Sequence, residues 1–336
     1  MKLLRTIIVL APLAAFVPSA QAQAPTGSIL RMEFENATLY IADCPNSQLA
    51  TSSTKLNRPT GGAFESAFGI ADIVSVNGKR VKGAAYQTVV SGLKGSSNPA
   101  PRGVLVDSVR LALFQWDLDL LNPDGTQIGT IQISGLGNGL APPGAPKEIT
   151  GGGLNVTGGT GAFFGVRGYF QPTGDPAFPE RQTSACEDPA LRRAFADGGG
   201  KRHPILYLVP MIRPEIVVTA TGPAVVHSSD GSLVTAAKPA KSGEVLTLYA
   251  YGLGPTRPGV DPGQPFTADP PKVVNSPVEV LVNGKSGEVL YAGGYPGAVD
   301  GYLVNFVVPD GTTSGQASVQ LTSAWIAGQA VKITIQ

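Results

Sequence analysis

Histidine and cysteine are almost missing from this chain, with two of each in 336 residues. His203 and His227 stand far apart, so no zinc site of the cysteine–histidine kind is expected. A thiol nucleophile would have no histidine near it in sequence either. An excess of charge is missing too: 25 Lys+Arg meet 24 Asp+Glu, for a net charge of +1. A balance this close to neutral gives no electrostatic grip on nucleic acid or on an anionic membrane surface. Beyond the first 24 residues no apolar run is long enough to cross a bilayer as a helix. Phosphate-binding loops are also lacking. Gly158-Gly-Thr-Gly161 is followed by Ala162-Phe-Phe164, which has strand character, where such a loop needs Gly-Lys-Ser/Thr opening a helix. No cofactor and no metal are expected.

What is present begins with a targeting signal. Lys2 and Arg5 give a positive end, residues 7–17 are apolar, and Pro18 breaks the run. Ala20-Gln-Ala22 or Ala22-Gln-Ala24 offers small residues for cleavage, so residues 1–24 read as a signal peptide. An exported chain meets an oxidising compartment, which makes a disulfide between Cys44 and Cys186 the expectation. Closing so long a loop is worth about 4 kcal/mol by the chain-entropy argument.

The mature chain reads as all-β in two domains. Its 43 glycines and 29 prolines punctuate apolar runs and form no repeat, as turns between strands do. Residues 25–202 read as a β-barrel decorated by one short helix. Residues 203–213 read as a packed, proline-punctuated connector, and 214–336 as a β-sandwich. In the first domain, Glu35-Asn36 reads as a turn between two short strands, and Asn77-Gly78 as a hairpin turn. The longest strand signal covers residues 104–121 and ends at the Asn122-Pro-Asp-Gly125 turn. A meander of this kind avoids open sheet edges by closing on itself. The helix is expected over residues 188–198, with Asp188 as cap, Pro189 in the first turn and Gly198 as the stop. In the second domain, Val245, Thr247, Tyr249 and Tyr251 alternate with Leu246, Leu248 and Ala250, so this strand is expected to be central. Asn283-Gly284 reads as another hairpin turn.

Two resemblances follow from these stretches. GEVLTLYAYGLGPTRPGVDPGQPF, SPVEVLVNGKSGEVLYAGGYPGAVDGYLVNFVVP and VQLTSAWIAGQAVKITIQ resemble the immunoglobulin-like module that closes many secreted bacterial proteins. That module brings no catalytic residues with it. NPDGTQIGTIQISGLG and LNVTGGTGAFFGVRGYF resemble the barrel shared by dirigent proteins and allene oxide cyclases, which include enzymes and binding proteins. The resemblances imply a bacterial secreted or envelope protein and leave the function open.

Candidate site residues are few. Asp117 and Asp119 alternate with Trp116 and Leu118, so both carboxylates share one strand face. Pointing into the barrel, the pair can do acid–base work or orient a ligand, with Trp116 and Arg167 as companions. Pointing outward, they are surface acids, which is the common case. His227-Ser-Ser-Asp230 holds the residue types of a triad, but sequence neighbours point in different directions, and no catalytic residue is assigned. The leading expectation is a non-enzymatic binding or interaction protein with an extracellular or envelope partner. The alternative is a barrel that binds an apolar small molecule, as an isomerase or cyclase does.

Overall fold

A computed structural model describes residues 27–41, 66–94, 109–138, 154–184 and 187–336. These residues are almost entirely strand and turn, as the composition implied. The expected cleavage region, Cys44 and Cys186 lie outside the described residues.

Eight antiparallel strands close a barrel. They are β1 (Ser28–Ile41), β2 (Ser66–Val76), β3 (Lys82–Lys94), β4 (Val109–Leu121), β5 (Gln127–Asn138), β6 (Leu154–Gly159) and β7 (Arg167–Gln171), with β8 (Ile205–Val209) completing the ring. β8 pairs with β7 on one side and with the start of β1 on the other, and β1 pairs with β2. The stretch expected to be a connector therefore supplies the closing strand. Its prolines, Pro204 and Pro210, flank the strand, where no ladder hydrogen bond is needed from them.

Period-two alternation sends one face of each strand inward. Leu30, Met32, Phe34, Ile73, Leu118, Leu120, Ile131, Ile133, Phe170, Leu206 and Leu208 form one buried cluster. Arg31, Glu33, Gln115, Asp117 and Gln132 face out. The interior is apolar, and the exterior mixes these polar side chains with exposed Ile29, Phe68, Tyr86, Val90, Tyr169 and Tyr207. No helix among the described residues is long and apolar enough to cross a membrane.

Two local expectations are corrected. β1 runs unbroken through Glu35-Asn36, with a bulge and Asn36 at φ 54° instead of a turn. Asparagine tolerates that left-handed backbone, and its Nδ2 donates to Asp72 Oδ2 at 2.9 Å. The expected helix shrinks to a 3-10 turn at Pro189–Arg193, capped as foreseen by Asp188, whose side chain accepts from the Ala190 N–H. Leu191 and Phe195 remain exposed, so no apolar face holds a longer helix, and Arg192 is buried in their place. A short strand, Arg181–Ser184, runs parallel to the end of β1 just before this turn.

The C-terminal part has two further sheets over a shared core. One is built around β9 (Val245–Tyr251) and β11 (Gly301–Val307), the other around β10 (Val278–Val282) and β12 (Gly315–Ser323). Leu246, Leu248, Val304 and Phe306 from the first meet Val280, Val282, Val319 and Leu321 from the second. β9 has strands on both sides, as expected of a central strand. Asn77-Gly78 and Asn283-Gly284 take positive φ at both residues, the type I′ hairpin geometry their sequences called for.

The sandwich is docked on one end of the barrel. The turn after β12 carries Ala324 at φ 48° and Trp325 at φ 62°, a left-handed pair without glycine. Ala324, Trp325 and Ile326 belong to the barrel's own buried cluster. Asn122 Nδ2 donates to Asn275 O at 2.6 Å, Asn275 Nδ2 donates back to Gln127 O, and Lys79 pairs with Glu279.

Candidate functional site

The strand period decides the fate of the acidic pair. Trp116 faces the barrel interior, so Asp117 and Asp119 on either side of Leu118 face outward. Asp119 accepts from Gln127 Nε2 at 3.0 Å. Partial burial, and then the charge of Asp119, push the Asp117 carboxyl up. Arg167 is also exposed, and its guanidinium donates to Val166 O at 3.0 Å. On the outer face, Gln132 and Gly158 separate Arg167 from Asp117, and among the described residues Arg167 pairs with neither acid. The structure brings the two acids together and leaves both Trp116 and Arg167 apart from them.

Trp116 belongs to a different group. Its ring packs on Phe170 at 5.4 Å between centroids, and the Arg202 guanidinium lies 5.2 Å from its ring centre. Arg202 in turn donates to Glu180 at 2.5 Å. Trp116 Nε1 and the Oε1 of its cross-strand neighbour Gln87 are buried with no hydrogen-bond partner. Nearby, Arg181 and Glu187 form a buried two-point ion pair. Asp72 accepts from Arg192, Arg193 and Asn36. Burial raises its carboxyl, but these donors outweigh that and hold it at about 2. These pairs fix the polypeptide around the 3-10 turn, and the Asp72 carboxylate, with four donors on its two oxygens, has no free lone pair for chemistry.

His227 is buried between two partners. Its Nδ1 lies 2.5 Å from Glu244 Oε1, and its Nε2 lies 3.3 Å from Lys238 O. Asp230 instead accepts from Ser232 and Lys238. The triad residue types in this stretch therefore do not converge, and His227 ties a turn to the start of β9.

The feature that sequence reasoning did not find is a pocket of about 540 Å³ where the two parts meet. Its barrel wall comes from residues 79–81 and the turn after β4, and its sandwich wall from Arg257, residues 273–277 and Trp325. Val81, Val273, Val274, Pro277 and Trp325 make it largely apolar. Ser276 and Trp325, 7% and 8% exposed, each carry a buried polar atom without a partner: Ser276 Oγ and Trp325 Nε1. One signal for it stood in the sequence: a tryptophan inside Thr322-Ser-Ala-Trp325, a strand end where a turn residue belongs. Among the described residues, no group of three or more potential metal ligands comes together.

Comparison with known proteins adds nothing further: no family model, curated protein or solved structure matches the chain.

Proposed function

We propose that this is an exported, non-enzymatic binding protein: a barrel carrying an immunoglobulin-like sandwich, with its ligand site at the junction between them. The observation that carries the reading is the junction pocket, whose largely apolar walls come from both domains. Pockets of roughly 300–1,000 Å³, mostly apolar with a few placed polar groups, are the usual form of small-molecule sites, often between domains. The targeting signal supports export to the cell surface or beyond.

A second reading has its own support. Trp116 Nε1 and Gln87 Oε1 also lie unpartnered, inside the barrel. They favour the alternative of an apolar small molecule held in the barrel, the use made of this shape by the dirigent and allene oxide cyclase proteins it resembles.

The test is native mass spectrometry of the full mature chain, taken from its own secretion pathway and mixed with a metabolite extract. A retained small molecule that Val273→Trp abolishes supports the junction site, since Val273 is 44% exposed and a larger side chain there fills the pocket. Chemical conversion of the retained molecule would refute the non-enzymatic reading. Retention lost with Gln87→Leu but kept with Val273→Trp would move the site into the barrel.

A further inference from the structure

We infer that the chain cuts its own backbone between Asp175 and Pro176 in mild acid, with Asp175 as nucleophile and His203 as proton donor. The inference does not depend on the junction reading. The chain has four Asp-Pro bonds, which begin at Asp175, Asp188, Asp261 and Asp269. Such a bond is open to attack by its own side chain. The carboxylate reaches the carbonyl carbon of its own residue through a five-membered ring, and groups held in one residue need no encounter. Proline has no N–H, so its nitrogen cannot attack the side chain in the competing direction. What keeps the bond intact is the leaving group, because an amide nitrogen leaves only when it receives a proton.

Two of the four bonds lie in the same kind of turn, and one of these has a histidine on its carboxylate. Asp175 follows β7. Its Oδ1 accepts the Ala177 N–H at 2.8 Å, which folds the carboxylate forward along the bond to Pro176. Its carbonyl accepts the Phe178 N–H at 3.2 Å, a donor on the oxygen where negative charge builds during attack. Asp188 repeats this arrangement, with the Ala190 N–H on Oδ1 at 2.9 Å and the Leu191 N–H on the carbonyl at 3.0 Å. The difference is His203, whose Nε2 lies 3.3 Å from Asp175 Oδ2. The backbone holds it there: the His203 N–H donates to Thr173 O at 2.7 Å, and the Asp175 N–H to Lys201 O at 3.0 Å. The neighbouring cations are matched elsewhere, Lys201 by Glu35 and Arg202 by Glu180. The Ala177 N–H, and then His203, hold the Asp175 carboxyl below its ordinary value. It therefore stays ionised in mild acid, where imidazoles carry a proton, so both forms that the step needs coexist.

In the step, a carboxylate oxygen of Asp175 bonds to the Asp175 carbonyl carbon. The bond from that carbon to the Pro176 nitrogen breaks, and the nitrogen takes the proton of the His203 imidazolium. Water then opens the cyclic anhydride, and a released proton returns to the imidazole. One peptide bond and one water are consumed. The fragments stay paired, because β8 on the second is bonded to β7 and β1 on the first.

For the test, the full mature chain is purified in neutral buffer, kept at about pH 5 and about pH 7.5, and followed over days by denaturing mass spectrometry after reduction. At the lower pH two fragments should appear that meet between Asp175 and Pro176 and together weigh the parent plus one water, with Asp188–Pro189 intact. His203→Gln should slow the cut by roughly a hundredfold. Asp175→Glu, which needs a larger ring, should stop it. Circular dichroism should show the parent fold in both variants. A chain that stays whole at the lower pH would overturn the inference. Equal cutting at Asp188–Pro189 would overturn it too, as ordinary acid lability, and an unslowed His203→Gln would remove the proton donor. A cut that survives in Asp175→Glu would mark a contaminating protease and overturn it as well.

Discussion

Replacing Trp325 by alanine tests how the two domains are joined. The indole is 8% exposed and packs in a cluster of barrel residues, although its backbone belongs to the sandwich. A buried tryptophan hides about 150–250 Å². At about 25 cal/mol per Å² its removal costs up to about 4–6 kcal/mol, an upper figure because unfolded chains bury some surface too. Two effects reduce this. The unpaired Nε1 disappears with the ring, which returns about 1 kcal/mol or more. The neighbours also relax into part of the space. A loss of about 3 kcal/mol is expected. Urea unfolding of the full mature chain, followed by circular dichroism, measures it. The same trace should show the joined unfolding of the parent separating into two transitions, because the main apolar contact between the parts is gone. Trp325→Gly provides an internal control. Glycine usually costs more than alanine by up to about 1 kcal/mol, but at φ 62° it avoids the Cβ penalty of left-handed backbone. It should be as stable as the alanine variant or more so. A loss below about 1 kcal/mol for Trp325→Ala, with the transition unchanged, would refute the picture of the sandwich plugging the barrel.

Other outcomes follow from single sites. Asp72 is held at about 2 in the folded chain, below the ordinary aspartate range, so it favours folding at neutral pH. That contribution, about 2 kcal/mol, is present above pH 4 and is lost as pH falls toward 2; Asp72→Asn should flatten this part of a stability–pH curve. Gly328→Ala would place a Cβ 1.8 Å from Pro214 O, so it should destabilise by about 2 kcal/mol or more in the same urea assay. Cys44 and Cys186 lie outside the described residues, but Ile41 and Ser184 are register partners on parallel strands just before them. The full chain folded under oxidising conditions should therefore resist alkylation until reduced. Cys44→Ser/Cys186→Ser should lower stability by about 4 kcal/mol. Two thiols modified without reduction would exclude the disulfide.

The regular parts of the fold were legible because alternation is a local signal. Trp116, Leu118 and Leu120 on β4 share a face, and the two Asn-Gly hairpins follow directly from residue type. The closing strand β8 was not legible. Its five residues lie between prolines, and the strands it pairs with are β7, more than 30 residues earlier, and β1, at the other end of the domain. Asn36 looked like a turn because it takes turn backbone, yet tertiary pairing on both sides carries the strand through it. The acidic pair could be placed on one face but not inside or outside, since period two gives alternation without a sign. Only the burial of Trp116 supplies that sign. The junction pocket was out of reach for a related reason. Its walls combine residues near 80, 124, 257, 275 and 325, which no window of sequence holds together.

The plug also bears on the order in which the chain is made. Synthesis proceeds from the N-terminus, so every barrel strand exists before residue 325 does. Until the turn after β12 arrives, the barrel's buried cluster lacks Ala324, Trp325 and Ile326, and the side chains they cover face water. A nascent or truncated chain that stops after β11 is thus a barrel with an open floor, the kind of exposed apolar surface that drives aggregation during folding. The last strands act as a completion check on the first domain: the barrel's core is finished only in a molecule whose C-terminus has been delivered.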